Sequence, residues 1–278
     1  MKKVLGIDMG CSTTKIVGFD GDNLIGAMQE EAGDKETALY GVIEKFLHLH
    51  QIKLRDIDEI FLTGVGASFV EKDLFDIKTH RVSEFRAIGR GGLRVSGLSE
   101  GIIVSVGTGT AVVRASSEGD RHMGGSGVGG GTLLGLSSLL IDENDLCKIS
   151  SLAEKGDLGN VDLLISHVVK EASASLPMNA TASNFGNVSR SASREDLALG
   201  IVSLVVQTVG MIAVFACAND TIKDVVLTGS ATKLPQWAQI MSEIHKMTGV
   251  RFHIPENAVY ATAIGATECR QEAIIENN

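Results

Sequence analysis

The alternation of apolar and polar residues predicts two similar strand–turn–strand units in this chain. The first unit covers residues 4–20, with a turn of small residues at 9–12 between two apolar strands. The second covers 102–115, with a Gly/Thr turn at 107–110. Each unit is followed by a Gly-Asp pair, so the pattern suggests two related halves that face each other.

The remaining segments alternate between strand and helix periodicity. Further strands are predicted over 24–28, 57–63, 224–227 and 250–253. Helices are predicted over 37–50, from Glu84 toward 93, from Thr132 to 136, and over 145–153, 161–170, 195–219, 234–247 and 258–276. The Ser/Ala/Asn-rich stretch 172–193 is predicted to be irregular. This mixture indicates an α/β protein.

Composition and charge exclude several classes of protein. The chain has 278 residues, of which 44% are hydrophobic and 21% are charged, which is typical of a globular protein of one large domain or two smaller lobes. Lys and Arg number 25 against 34 Asp and Glu, a formal net charge of −9. An acidic chain of this kind is not expected to bind nucleic acid, because phosphate binding needs basic surface.

Neither a membrane span nor a disulfide framework is expected. The longest apolar candidate, 201–218, is interrupted by polar residues and a glycine, and the first residues lack the apolar run of a signal peptide. The four cysteines are widely scattered and form no CxxC pair, which fits a reduced, cytoplasmic location. An iron–sulfur or zinc site within one chain is not expected.

Four turns rich in Gly, Ser and Thr follow apolar strands, at 8–15, 107–110, 124–131 and 229–230. Glycine lets backbone N–H groups approach phosphate oxygens, and hydroxyl groups add donors without bulk. The segment 124–131 also opens a helix, whose N-terminus favours an anion. A tight turn explains any one of them alone, but the four together favour a nucleotide held between two hairpins.

Three charged residues near these turns are candidates for chemistry. Asp8 ends an apolar strand and can bind Mg²⁺ beside a polyphosphate, or simply cap the turn. Lys15 can contact phosphate oxygens or lie in solvent. Glu84 follows Ser83 at a predicted helix start, where an acid is favourable for the helix dipole, and it can also act as a general base.

Several longer motifs resemble those of the type II pantothenate kinases, within the acetate and sugar kinase/Hsp70/actin superfamily. Residues 6–15 are similar to the first phosphate motif of the family and 106–110 to the second. Residues 123–132 and 227–230 resemble its Gly-rich and adenosine motifs. Residues 181–188 (TASNFGNV) are a distinctive feature of the type II enzymes. The resemblance extends over nearly the whole chain.

The resemblance implies a fold and a reaction. The expected fold has two RNase H-like lobes, the actin-like ATPase fold, over residues 1–100 and 101–278, with the nucleotide in the cleft between them. The expected reaction is ATP-dependent phosphorylation of the hydroxyl of pantothenate to 4′-phosphopantothenate, the first step of coenzyme A biosynthesis. Mg²⁺ and a homodimer are implied by the family.

The family motifs also imply site residues. Glu84 matches the catalytic acid that takes the proton from the pantothenate hydroxyl. Arg121 and His122 fall where the family binds substrate, although the family typically has Arg where His122 stands and histidine is only partly charged at neutral pH. The residues implied for ATP and its metal ion are Asp8 (also the metal ligand), Met9, Gly10, Cys11, Ser12, Thr13, Thr14, Lys15, Thr108, Gly130, Gly131, Thr132, Leu133, Leu134 and Ser230.

Two alternatives remain open. The departure at His122, for which the neighbouring Arg121 can compensate, leaves open a kinase of another small hydroxyl compound, such as an amino sugar. The first hairpin is also similar to that of ATP-driven activators of 2-hydroxyacyl-CoA dehydratases. Such activators need cysteines that bridge a dimer through an iron–sulfur cluster, and the cysteines here show no clear cluster motif.

Overall fold

The computed structural model describes residues 3–31, 35–171 and 177–269. Within these residues the strands are β1 (Lys3–Met9), β2 (Thr13–Asp20), β3 (Asn23–Glu31), β4 (Ile57–Thr63), β5 (Thr79–Arg81), β6 (Gly101–Val106), β7 (Thr110–Ser116), β8 (Gly119–Ser126), β9 (Leu163–Leu164), β10 (Thr181–Ser183), β11 (Asp224–Thr228) and β12 (Arg251–His253). The α-helices are α1 (Lys35–Leu49), α2 (Glu84–Ser96), α3 (Gly130–Ile141), α4 (Leu146–Ala153), α5 (Arg194–Ala218), α6 (Gln236–Thr248) and α7 (Ala261–Glu268).

The two halves of the chain form five-stranded sheets with the same topology. The first sheet has the order β3-β2-β1-β4-β5, and the second has β8-β7-β6-β11-β12. In each sheet three consecutive strands pair antiparallel, and two later strands add in parallel. The repeat predicted from the two hairpins is therefore confirmed, and it extends to the whole sheet.

Helices pack on both faces of each sheet. On one face of the first sheet, Leu5 and Ile7 contact α1 through Ile43 and Phe46. On one face of the second sheet, apolar residues of β6, β7 and β11 pack against the buried sides of α5 and α6. These mainly aliphatic clusters form the outer cores of the two halves, in keeping with the low aromatic content of the chain.

Two helices are exchanged between the halves. Helix α2 follows the first sheet but packs on the inner face of the second, and α7 follows the second sheet but packs on the inner face of the first. The two helices cross at Gly91 and Gly265. A Cβ at Gly91 would lie 1.8 Å from the carbonyl oxygen of Ala261, and one at Gly265 would lie 1.9 Å from that of Ala87. The crossing therefore requires glycine on both helices. A lobe boundary at residues 100 and 101 stays a prediction.

Some sequence predictions need correction. Residues 161–170 do not form the predicted helix, because β9 and a 3₁₀ turn at Ile165–His167 occupy them. The irregular stretch contains β10, which pairs with β9, while 172–176 lie outside the described residues. The last predicted helix begins with a 3₁₀ turn at Ala258–Tyr260 and continues as α7. Its predicted continuation over 270–276 lies outside the described residues.

Helix α5 is the longest helix among the described residues. By length and composition it is long and apolar enough to cross a membrane, with a mean hydropathy of 2.3 over its most apolar window, and 56% of that window is buried inside the protein. Ile201, Val205 and Val209 are fully buried against the second sheet and its neighbouring helices. This degree of burial is typical of a core helix, which has the same composition.

Candidate active site

Strand pairing places four polar residues in one row across the first sheet. Asp8 lies opposite Lys15 on β2 and opposite Thr63 on β4, and Lys15 lies opposite Gln29 on β3. These residues share the inner face of the sheet, the face on which α7 packs. We call the space between the two sheets at the carboxyl ends of β1 and β6 the cleft. The row of polar residues lies on the side of the cleft that the first sheet forms.

The centre of the row is a buried ion pair. Lys15 Nζ lies 3.2 Å from Asp8 Oδ2, and the two side chains are only 7% and 8% exposed. Asp8 Oδ1 accepts no hydrogen bond from any described residue. It faces Gly64, where a Cβ would lie only 2.8 Å away. A carboxylate oxygen with open space beside it fits a divalent cation that is also held by phosphates and water.

The tips of the two hairpins meet across the cleft. Ser12 Oγ lies 2.8 Å from Thr108 Oγ1, so a hydrogen bond joins the first predicted phosphate turn to the second. The first turn is closed by a bond from Gly10 N–H to the carbonyl oxygen of Thr13, at 3.0 Å. Cys11 is exposed at the tip of this turn. Met9, Thr14 and Lys15 are buried beneath it.

The N-terminus of α3 supports the second turn. The N–H groups of Gly130 and Gly131 donate to the carbonyl oxygens of Gly107 and Thr108, at 2.8 and 2.9 Å. These amides are therefore used within the protein rather than offered to an anion. Their glycines leave room for the turn, because a Cβ at either position would lie 2.8 Å from its atoms.

The residues that follow at the start of α3 have structural partners. Thr132 Oγ1 donates to the carbonyl oxygen of Gly127 at 3.0 Å and accepts from Gly129 N–H at 3.3 Å. Leu133 is fully buried in the second core, and Leu134 packs against it. Contacts of Thr132, Leu133 and Leu134 with a nucleotide stay predictions.

Glu84 is the first residue of α2, as predicted, and follows Ser83 at its N-cap. The side chain is half-buried. Burial raises the pKa of Glu84, the negative charge of Asp8 raises it further, and the positive charge of Lys15 opposes the rise. Glu84 is therefore within electrostatic reach of the buried ion pair. A carboxylate whose pKa is raised is a stronger base than an ordinary glutamate.

The structure separates Arg121 from His122. The His122 ring stacks on the Phe85 ring, next to Glu84 in the chain, with centroids 3.7 Å apart and an angle of 13° between the planes. Arg121 instead lines a cavity of about 440 Å³ that also includes Phe215 of α5. Consecutive residues of β8 point to opposite faces of the sheet, so Arg121 is not brought to Glu84.

Ser230 reaches the first half of the protein. It follows Gly229, whose φ of 96° and N–H bond to the carbonyl oxygen of Ala258 fix the turn after β11. Ser230 Oγ donates to Gln29 Oε1 at 3.4 Å. Sequence reasoning chose Ser230 but not Gln29, Thr63 or Gly64, because their positions in the cleft depend on strand pairing.

The TASNFGNV segment is anchored by a buried carboxylate. Asp162 is fully buried and accepts hydrogen bonds from Thr181 Oγ1, Asn184 Nδ2 and Phe185 N–H, at 3.1, 3.1 and 2.9 Å. Burial raises the pKa of Asp162, while the three donors oppose the rise. Asn184 also donates to Gln207 of α5 at 3.2 Å. The segment is thereby fastened to α5.

Comparison with known proteins identifies the family of this chain. The model of the Fumble family matches residues 100–248, more than half of the chain. The chain belongs to the Fumble family. A type II pantothenate kinase of Staphylococcus haemolyticus is 28% identical over 263 residues, which are 90% of this chain and 98% of that protein. The resemblance to type II pantothenate kinases is confirmed.

Solved structures establish the fold of this Fumble-family chain. The activator of the 2-hydroxyisocaproyl-CoA dehydratase from Clostridium difficile, with bound ADPNP, has a TM-score of 0.71 at 19% identity, over 99% of this chain and 97% of that chain. The ROK hexokinase from Thermus thermophilus has a TM-score of 0.58 at 14% identity, over 99% and 100%. The actin-like ATPase fold is confirmed. Together the relatives support a kinase role and the use of ATP.

Proposed function

We propose that this protein transfers the γ-phosphoryl group of ATP to the primary hydroxyl of pantothenate, giving 4′-phosphopantothenate and ADP. The observation that carries the proposal is Glu84, a half-buried carboxylate whose pKa is raised by burial and by Asp8, beside an ion pair at the cleft wall. The similarity to a type II pantothenate kinase over nine-tenths of the chain supports the choice of substrate.

The chain's own groups account for the transfer. Glu84 accepts the hydroxyl proton as that oxygen bonds to the γ-phosphorus, and the bond to the bridging oxygen of ADP breaks. Lys15 and the hydroxyls of Ser12 and Thr108 provide positive charge and donors for phosphate oxygens around the cleft. Alignment and charge neutralisation are the main tasks of a protein that catalyses phosphoryl transfer.

The proposal includes Mg²⁺ held through Asp8. Its Oδ1 and the space left by Gly64 fit a hard cation that keeps several waters. When bound, the ion would neutralise charge on the β- and γ-phosphate oxygens. Removal of divalent cations with EDTA should abolish transfer, and added Mg²⁺ should restore it.

A radiolabelled ATP assay with a panel of acceptors tests the proposal. Purified protein is incubated with pantothenate, pantetheine or N-acetylated amino sugars, and the products are separated and counted. Phosphorylated pantothenate formed in preference to the sugars supports the proposal. Transfer to the sugars alone would overturn the substrate assignment, and no transfer to any acceptor would overturn the kinase assignment of the site.

A second candidate is a kinase of another small hydroxyl compound that has no carboxylate, such as an amino sugar. The stacked rings of His122 and Phe85 form a flat wall next to Glu84 that lacks a permanent positive charge. A flat apolar wall suits a sugar ring, whereas the carboxylate of pantothenate pairs better with arginine. Replacing His122 by Arg should then improve the ratio of pantothenate to sugar turnover.

The activator alternative depends on cysteines. Cys217 and Cys269 are buried, which leaves Cys11 and Cys147 exposed among the four. The described residues contain no group of three or more His, Cys, Asp or Glu side chains arranged to hold a metal ion. Protein purified without oxygen that shows visible iron–sulfur absorption would favour the activator role over the kinase role.

We also propose that the protein is a cytoplasmic homodimer. Leu139 of α3 and Phe215 of α5 are 79% and 70% exposed, and α3 packs against α5. Large apolar side chains exposed on adjacent helices are typical of an interface. Light scattering should give twice the mass of one chain, and Phe215→Glu should shift the mass toward the monomer.

A further inference from the structure

The polar row of the first sheet ends in Gln29, a residue that the motifs did not single out. Gln29 lies on β3 directly opposite Lys15, which in turn lies opposite Asp8. Residues paired across neighbouring strands share a face, and their side chains are close enough to interact. Gln29 therefore belongs to the same wall of the cleft as the buried ion pair.

Gln29 also contacts the other half of the molecule. Its Oε1 accepts a hydrogen bond from Ser230 Oγ, which is 201 positions away in the chain. Gln29 is half-buried, and its Nε2 makes no hydrogen bond to any described residue. One side chain of the first sheet thus lies between Lys15 and the turn after β11.

The partner turn is held firmly within its own half. Gly229 N–H donates to the carbonyl oxygen of Ala258 at 2.9 Å, and Thr232 Oγ1 donates to the carbonyl oxygen of Gly229 at 2.7 Å. A Cβ at Gly229 would lie 2.4 Å from the carbonyl oxygen of Val106, so the turn also abuts the end of β6. Because the turn has little freedom of its own, a contact to Ser230 relates the position of the whole second sheet to the first.

We propose that Gln29 is a further positioning residue of the nucleotide site. Its carboxamide sets the Gly229-Ser230 turn against the Asp8–Lys15 pair, so that both halves contact one bound nucleotide in the correct relative position. The inference rests on the proposed function, because it requires ATP between Lys15 and Ser230. The neutral carboxamide suits this place, since another carboxylate beside Asp8 and Glu84 would repel the phosphates.

A double-mutant cycle on ATP affinity tests the pairing. Binding of a non-hydrolysable ATP analogue is measured by calorimetry for the wild type, Gln29→Ala, Ser230→Ala and the double variant. Loss of one net hydrogen bond, about 1 kcal/mol, corresponds to roughly five-fold weaker binding in each single variant. If the two residues act through one contact, the double variant should be no weaker than the weaker single variant. Unchanged affinity of Gln29→Ala, or fully additive losses, would overturn the inference.

Kinetics separate positioning from a general loss of structure. In Gln29→Ala the KM for ATP should rise about five-fold while the KM for the acceptor stays unchanged. Equal increases in both KM values would indicate damage to the whole site and would count against the inference. Gln29→Glu keeps the size of the side chain and adds a negative charge, so its KM for ATP should rise further than that of Gln29→Ala.

The adjacent residue supplies a matched control. Glu30 lies on the other face of β3, where it pairs with Lys45, and Glu30→Ala should keep the wild-type affinity for the ATP analogue. If Gln29→Ala does not fold, Ser230→Ala removes the same hydrogen bond from the other side, and an unchanged affinity there would overturn the inference. A wild type that binds no ATP analogue would overturn the proposed function itself. A wild type that binds, with variants that bind equally well, would overturn only the role of Gln29.

Discussion

Gly64 and Gly229 occupy equivalent positions in the two halves of this protein. Each follows a buried threonine at the end of a strand, and each has a positive φ, 87° for Gly64 and 96° for Gly229. Each also lies against the first strand of its own half. A Cβ would come within 2.7 Å of the carbonyl oxygen of Met9 at Gly64, and within 2.4 Å of that of Val106 at Gly229. The repeat therefore includes the turns that face the cleft.

Replacing Gly229 by Ala should weaken both folding and nucleotide binding. With φ 96° and ψ 169°, Gly229 has a backbone conformation that essentially only glycine adopts, which costs an L-residue about 1–3 kcal/mol. The clash with Val106 must also displace the turn that carries Ser230. We expect ATP affinity to fall by an order of magnitude or more. Gly249→Ala is a control for a positive φ without a clash, since Gly249 is left-handed helical, with φ 74°, and no atom lies within 4 Å of its added Cβ. Calorimetry that finds equal ATP affinity in the two variants would contradict this role.

Replacing Glu84 by Gln should remove catalysis and keep nucleotide binding. The amide has nearly the same shape but cannot take the proton from the hydroxyl of the acceptor substrate. The kcat should therefore fall by roughly 10²–10⁴-fold. ATP analogue affinity, measured by calorimetry, should change little because the cleft wall is intact. Glu118→Gln, at an exposed turn between β7 and β8, should keep full activity. Full turnover by Glu84→Gln would remove Glu84 from the reaction.

The pH dependence of kcat/KM should report the raised pKa of Glu84. The base must be ionised, so activity should fall as the pH decreases through a value above the ordinary 4.5. Lys15 lowers this pKa, so the residual activity of Lys15→Met should show its acidic limb at higher pH than the wild type. A limb that moves to lower pH in Lys15→Met would contradict the electrostatic arrangement.

Replacing Asp162 by Ala should destabilise the protein strongly. The change leaves the donors of Thr181, Asn184 and Phe185 without their buried acceptor, which should lower the free energy of unfolding by about 3 kcal/mol or more. Asp157→Ala is a matched control, because the exposed Asp157 also accepts from a backbone N–H, that of Gly159. Asp157→Ala should lower the free energy of unfolding by only about 1 kcal/mol. Urea unfolding of both variants measures the difference.

Asp224 should contribute stability that is lost in acid. Hydrogen bonds from Arg251, with a further one from His253, hold the pKa of Asp224 at about 2, below its ordinary 3.8. A carboxylate with a lowered pKa in the folded state stabilises the protein above its unfolded pKa, and this contribution disappears as the pH falls from about 3.8 toward 2. The stability difference between wild type and Asp224→Asn, measured by urea unfolding, should therefore shrink over that range. A stability difference between the two proteins that does not change with pH would contradict this role of Asp224.

Local patterns were sufficient for much of the fold. Strand alternation predicted both hairpins. Apolar spacing predicted α1, because that helix buries one face and its apolar residues recur on that face. The long apolar stretch over 195–219 predicted α5. The prediction failed over 161–170, where apolar residues have helical spacing. There Asp162 accepts three hydrogen bonds from residues 181–185, and these bonds hold the chain in short strands and turns instead.

The sequence by itself determined the two repeated units, the glycine-rich turns and the resemblance that pointed to a kinase. Each of these features depends on residues that are close together in the chain. Only the tertiary structure decided which of those residues meet. It joined Ser12 to Thr108, brought Gln29 to Ser230, directed Arg121 away from Glu84, and engaged the amides of Gly130 and Gly131 within the protein. These relations depend on strand register and on the packing of one half against the other, and no local pattern of side chains encodes the distance between residues 201 positions apart.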